Sequence, residues 1–110
     1  NLCFAFIYGS RDEIVCSTKE IAKRVKEGLI DIDDIDENYF QSTLMSNHLP
    51  DVDLMIRTSG EQRLSNFMLW QLAYAEFIFT PVYWPDFDEK ELHKAIWQYQ
   101  NRDRRFGGLK

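Results

Sequence analysis

Arg57 and Arg63 stand in one short segment, Arg57-Thr58-Ser59-Gly60-Glu61-Gln62-Arg63-Leu64-Ser65-Asn66. An arginine offers a rigid planar fork of N–H donors that matches the oxygens of a phosphate. Two of them converge on one anion if the chain between them folds back, and Gly60 permits such a turn because it has no Cβ. Ser65 adds a hydroxyl, and free backbone N–H groups at a following helix start would add partial positive charge. The chemistry these residue types offer is a diphosphate cradle. Pairing of Arg57 and Arg63 with nearby acids, with Ser65 only a helix cap, would explain the same residues, and spacing leaves both readings open.

Glu76 is the second residue of interest. It interrupts Leu72-Ala73-Tyr74-Ala75 and Phe77-Ile78-Phe79, and a carboxylate among apolar neighbours is costly without a cation or hydrogen bonds. The partner is an arginine or a bound Mg²⁺, a cation that takes oxygen ligands together with substrate phosphates; a fixed salt bridge is the commoner of the two. Arg102, Arg104 and Arg105 form a basic tail, which by itself reads as a solvated helix end favoured by the helix dipole. The aromatics from Phe67 to Phe87 are most simply core. His48 and His93 are isolated, with no zinc-type spacing, and receive no role.

The elements that must hold these residues alternate. Leu2 to Tyr8 is continuously apolar and predicts a buried strand. Ser10 followed by Glu13 matches a capping box, so a helix starts there, with Ile14, Ile21, Ala22, Val25 and Leu29 as its apolar stripe and Gly28 as its stop. Asp31 to Glu37 is an acidic loop, followed by a short helix around Asn38 to Leu44. Leu54 to Ile56 predicts a second strand and Thr58 to Ser65 a loop. Asn66 to Tyr74 predicts a short helix capped by Ser65 or Asn66. Phe77 to Val82 predicts a third strand. Asp88 with Glu91 caps a last helix bearing Leu92, Ala95, Ile96 and Tyr99 on one face. Continuous apolar strands alternating with amphipathic helices predict an α/β fold, part of a parallel-sheet domain with helices on both faces. Ligands in such sheets bind beyond the carboxyl ends of the strands, which singles out the loop after Ile56.

Composition bounds the function. The chain has 110 residues, 45% hydrophobic and 15% aromatic, with a net charge of −5. That suffices for one small core and excludes a disordered tail. The acidic balance argues against a nucleic-acid or anionic-membrane surface, since both need a basic face. Cys3 and Cys16 read as reduced core residues, not a disulfide framework. The apolar stretch from Phe67 to Trp84 is broken by Gln71, Glu76 and Pro81, so no transmembrane segment is expected. No signal peptide is visible, and the expected compartment is the cytoplasm. A chain that opens at Asn1 inside an apolar run reads as a piece of a longer one.

The segment from Asp53 to Phe67 resembles the hallmark segment of the cis-prenyltransferases of the undecaprenyl diphosphate synthase type. Leu69-Trp70-Gln71, Ala73-Tyr74, Glu76, Trp84-Pro85-Asp86-Phe87 and Arg104-Arg105-Phe106-Gly107-Gly108 continue the resemblance in order, weakest over Ser17 to Asn47. It implies that residues 1–110 are the C-terminal part of a single domain whose N-terminal half, with the catalytic aspartate and the allylic-diphosphate cradle, is absent. No catalytic residue is then expected here, and the piece alone should be inactive. Arg57, Arg63 and Ser65 would hold the diphosphate of isopentenyl diphosphate, with Leu64 presenting backbone in the same loop. Glu76 would bind Mg²⁺. The tail with Arg105, Gly107 and Gly108 would reach an active site across a homodimer interface. The implied reaction condenses isopentenyl diphosphate with an allylic diphosphate, farnesyl diphosphate being expected, and repeats to give undecaprenyl diphosphate for the cell-wall lipid carrier. A non-catalytic partner subunit and a generic phosphate-binding domain are the alternatives. Two departures stand out: Ile7-Tyr8-Gly9-Ser10-Arg11 where the family often has Asn-Tyr-Gly-Gly-Arg, and Gln62 where some members have histidine.

Overall fold

The computed structural model describes residues 1–102. They fall into two units, Asn1–Pro50 with Asn66–Leu69, and Asp51–Ser65 with the chain from Trp70 onward.

In the first unit, Leu2 to Tyr8 is irregular rather than a strand, and Leu2, Phe4, Phe6 and Ile7 are exposed. A strand forms only where a neighbour takes up its N–H and C=O groups. The sheet of the described residues is built from two other strands. Cys3 and Cys16, expected in the core, are both exposed free thiols, Cys3 in this irregular segment and Cys16 on the first helix.

That helix, α1 (Ser10–Lys26), begins where the sequence predicts but by other means. Gly9 is the N-cap and no side chain caps the helix from within the expected Ser10–Glu13 box. Asn66 does the capping instead: its backbone oxygen accepts from the Ser10 N–H at 2.9 Å and its Oδ1 from the Arg11 N–H at 2.8 Å. Ser10 Oγ accepts from the Leu69 N–H at 2.9 Å. The Glu13 carboxylate turns inward and accepts from the Tyr8 hydroxyl at 2.6 Å and the Met45 N–H at 3.0 Å. Ser17 Oγ donates to the Thr43 carbonyl at 3.3 Å. The inward stripe is therefore Ser10, Glu13, Ser17 and Ile21. Of the predicted apolar stripe only Ile21 is buried, while Ala22 and Leu29 are exposed. The reason is that α1 packs on loops whose backbone groups need partners, and polar side chains supply them.

α1 ends as predicted at Gly28, whose φ of 74° closes a Schellman motif: Leu29 N–H donates to the Arg24 carbonyl and Gly28 N–H to that of Val25. A single 3-10 turn, Ile32–Asp34, occupies the acidic loop. α2 (Glu37–Ser42) follows, capped by the Asp36 side chain, which accepts from the Tyr39 N–H at 2.7 Å. Arg24 of α1 donates to the Tyr39 hydroxyl at 2.8 Å and to Glu20 at 3.1 Å. Both contacts, Tyr39 first, raise the guanidinium above its ordinary pKa. Leu44 and Ile21 are the buried apolar residues of this unit.

The second unit contains β1 (Leu54–Arg57) and β2 (Glu76–Phe79), paired in parallel with Leu54 opposite Glu76 and Arg57 opposite Phe79. Met55 and Ile78 point into its core with Leu72 and Ala95. The third predicted strand thus starts one residue early and is shorter, so Glu76 lies within it. Asn66 to Tyr74 forms turns rather than a helix. Ser65, Asn66 and Met68 have φ of 50°, 65° and 48°, which a right-handed helix does not admit. After a 3-10 turn at Trp84–Asp86, α3 (Glu89–Gln100) begins with the predicted cap, the Asp88 carboxylate accepting from the Glu91 N–H at 3.1 Å. Its predicted stripe is buried at Ala95 alone, with Leu92 and Ile96 exposed.

Candidate functional site

β1 delivers Arg57 at its carboxyl end, and the chain then turns at Ser59 and Gly60, with φ of 67° and 70°. Two backbone bonds hold this turn against the chain leaving β2, from Ser59 N–H to the Val82 carbonyl and from Gly60 N–H to that of Thr80, both at 2.9 Å. A Cβ on Gly60 would meet only Pro81 Cα at 3.9 Å, so the glycine is needed for its backbone conformation, not for space. The loop then folds back on its own first residue. Arg57 Nη1 donates to the Arg63 carbonyl at 2.5 Å and to Ser65 Oγ at 3.2 Å. The Arg63 guanidinium pairs with Glu61 and is two-thirds exposed. Arg57, Arg63, Leu64 and Ser65 are therefore gathered on one loop beyond the carboxyl end of a parallel strand. Each arginine also has an internal partner: Arg63 pairs with an acid, whereas Arg57 pairs with a carbonyl and a hydroxyl, and Ser65 caps no helix. An anion entering the loop would exchange those contacts for charge-assisted ones.

Glu76 opens β2 and has a cation. Arg102, just past the end of α3, donates through Nη1 to Glu76 Oε2 at 3.2 Å and to the Phe77 carbonyl at 2.7 Å. The carboxylate is 22% exposed and the guanidinium 40%. The register puts Glu76 at the amino end of the strand pair, three residues from the Phe79 that faces Arg57, or roughly 10 Å along the strand. The fold brings the arginines and Ser65 together and leaves Glu76 at the other end of the pair. Among the described residues no group of three or more His, Cys, Asp or Glu side chains forms a metal cage. As a single carboxylate with one oxygen held by Arg102, Glu76 would serve Mg²⁺ only if phosphate oxygens and water supplied the other ligands. The tail residues Arg105, Gly107 and Gly108 lie outside the described residues.

A cleft of about 240 Å³ in the first unit is lined by Asp12, Glu13 and Glu20 among others, a charge that repels diphosphate. Sequence reasoning missed Asn66 as the cap of α1 and Arg102 as the partner of Glu76. The first carries no local signal, since its contact lies 55 residues away. The second was visible only as a demand for some cation near Glu76.

A parallel strand pair whose carboxyl end leads into an arginine- and serine-bearing loop defines an α/β protein with that loop as its candidate site. Residues 1–107 match the family described as "Putative undecaprenyl diphosphate synthase". The chain belongs to that prenyltransferase family. It is 56% identical to the isoprenyl transferases of Bacillus subtilis, over 98% of this chain and 42% of that one, and of Clostridium perfringens, over 99% and 43%. Among solved structures it is similar to lavandulyl diphosphate synthase from Lavandula x intermedia in complex with dimethylallyl diphosphate, at TM-score 0.87 and 50% identity over 91% of this chain and 43% of that one. It is also similar to a "probable undecaprenyl diphosphate synthase" from Campylobacter jejuni, at TM-score 0.71 and 40% identity over 91% and 44%. The chain thus spans less than half the length of these relatives.

Proposed function

We propose that the protein carrying this chain is a cis-prenyltransferase that joins isopentenyl diphosphate to an allylic diphosphate, farnesyl diphosphate at the outset, and repeats the step to undecaprenyl diphosphate. The chain is the C-terminal part of one catalytic domain, which works in the cytoplasm as a homodimer. The observation that carries this reading is the loop in which Arg57 Nη1 reaches both the Arg63 carbonyl and Ser65 Oγ, within a family of isoprenyl transferases.

In this reading the loop holds the diphosphate of isopentenyl diphosphate. Arg57 and Arg63 supply charged N–H donors, Ser65 a hydroxyl and Leu64 backbone. Their work is positioning: a held diphosphate presents the double bond of its substrate to the allylic carbon, converting an encounter into an internal reaction. The new carbon–carbon bond forms as the allylic carbon–oxygen bond breaks, and a proton leaves the condensed product to restore a double bond. Bound Mg²⁺ would neutralise charge on the departing diphosphate, and Glu76 is the residue of this chain that would hold it.

The test is steady-state kinetics of the complete enzyme with isopentenyl diphosphate varied. Arg57→Ala and Arg63→Ala should each weaken its binding by about 1.5–3 kcal/mol, the cost of a lost charged hydrogen-bonding partner. Unchanged KM and kcat in both variants would remove the assignment.

A further inference from the structure

Arg102 has a contact that the loop chemistry does not use. One nitrogen, Nη1, carries two N–H groups and spends them on Glu76 Oε2 at 3.2 Å and the Phe77 carbonyl at 2.7 Å. Its backbone N–H donates to the Tyr99 carbonyl at 3.1 Å, so the side chain projects from the last turn at the end of α3. The pair joins the end of α3 to the first two residues of β2. Glu76 Oε1 has no partner among the described residues, and the carboxylate remains open to solvent on one side.

We propose that Arg102 is a built-in competitor of the metal at Glu76: the guanidinium and Mg²⁺ draw on the same carboxylate, and each weakens the hold of the other. This rests on the reading of Glu76 as a Mg²⁺ ligand. The physics is simple. A cation within 4 Å of a carboxylate lowers the potential available to a second cation on the same group. Arg102 is thereby a positioning residue that keeps Glu76 in place before metal arrives and lets go, in part, once it has. Because the competition is an equilibrium linkage, the factor is reciprocal: Mg²⁺ must loosen the end of α3 as much as Arg102 opposes Mg²⁺.

The complete protein, wild type and with Arg102→Gln or Glu76→Gln, would be titrated with Mg²⁺ by calorimetry in the presence of inorganic diphosphate. Hydrogen exchange of residues 99–102 would be followed with and without Mg²⁺. Arg102→Gln should bind Mg²⁺ more tightly, by up to about fivefold, the size of a part-exposed charge pair. In the wild type, Mg²⁺ should speed exchange at residues 99–102, and Glu76→Gln should abolish that response. If Glu76→Gln leaves Mg²⁺ binding unchanged, the metal reading of Glu76 itself fails. If Glu76→Gln weakens binding while Arg102→Gln leaves it equal or weaker, Glu76 keeps its metal and the competition is overturned.

Discussion

Arg57 and Arg63 have the same side chain and different employment. Arg57 ties its own loop shut through the Arg63 carbonyl and Ser65 Oγ, whereas Arg63 projects outward with Glu61 as its partner. Arg57→Lys keeps the charge but loses the planar fork that serves two acceptors. We therefore expect Arg57→Lys in the complete enzyme to raise the KM for isopentenyl diphosphate nearly as much as Arg57→Ala. Arg63→Lys should recover most of the wild-type value. Equal rescue at both positions would show that neither geometry matters. Glu76 was expected to be expensive to strand, because its sequence neighbours are apolar. The Arg102–Glu76 pair is instead 40% and 22% exposed, so breaking it costs within about 1 kcal/mol. Glu76→Gln should leave the melting temperature nearly unchanged while raising the Mg²⁺ requirement for turnover, a combination read from a thermal melt beside a Mg²⁺ titration.

At the scale of elements, what was legible followed local chemistry. Gly28 ends α1, Asp88 caps α3, and Leu54 to Ile56 lies within β1, because each signal acts within a few residues of itself. What was illegible depended on partners far along the chain. Leu2 to Tyr8 has the composition of a strand, but the sheet of the described residues is built from two other strands. Asn66 to Tyr74 opens on residues that commonly cap helices, yet Asn66 is taken by the start of α1 and sits at positive φ. The candidate loop was legible as residue types and place, since its turn glycine and arginines fall within one short segment; the bond from Arg57 to Ser65 was not. The local signals can be tested directly. Asp88→Ala should destabilise by about 1 kcal/mol through the lost cap. Gly28→Ala should cost about 1–2 kcal/mol, because a Cβ there is unfavourable at positive φ even with open space around it. Chemical denaturation of the complete protein measures both, and a neutral Gly28→Ala would mean the turn relaxes elsewhere.

For the whole molecule, the chain spans less than half the length of its relatives, and the proposed reaction needs an allylic site besides the loop. A purified chain of these 110 residues should therefore transfer no prenyl group. Turnover by that chain would overturn the division of labour. Removing the residues after Arg105 from the complete enzyme should lower activity while leaving the fold, measured by circular dichroism, intact. Sedimentation of the complete enzyme with and without those residues tests the proposed homodimer, symmetric dimers being the commonest assembly.

The inner side of α1 has a consequence for how the chain tolerates substitution. Ser10 is fully buried and Ser17 nearly so, and each holds a backbone group of another segment. In a saturation library selected for folded protein, these small hydroxyl positions would behave as the strictest sites of the helix, admitting alanine poorly and leucine not at all. In the same library of this chain, Ala22, whose place in the apolar stripe suggested core, would accept lysine and glutamate because it is exposed.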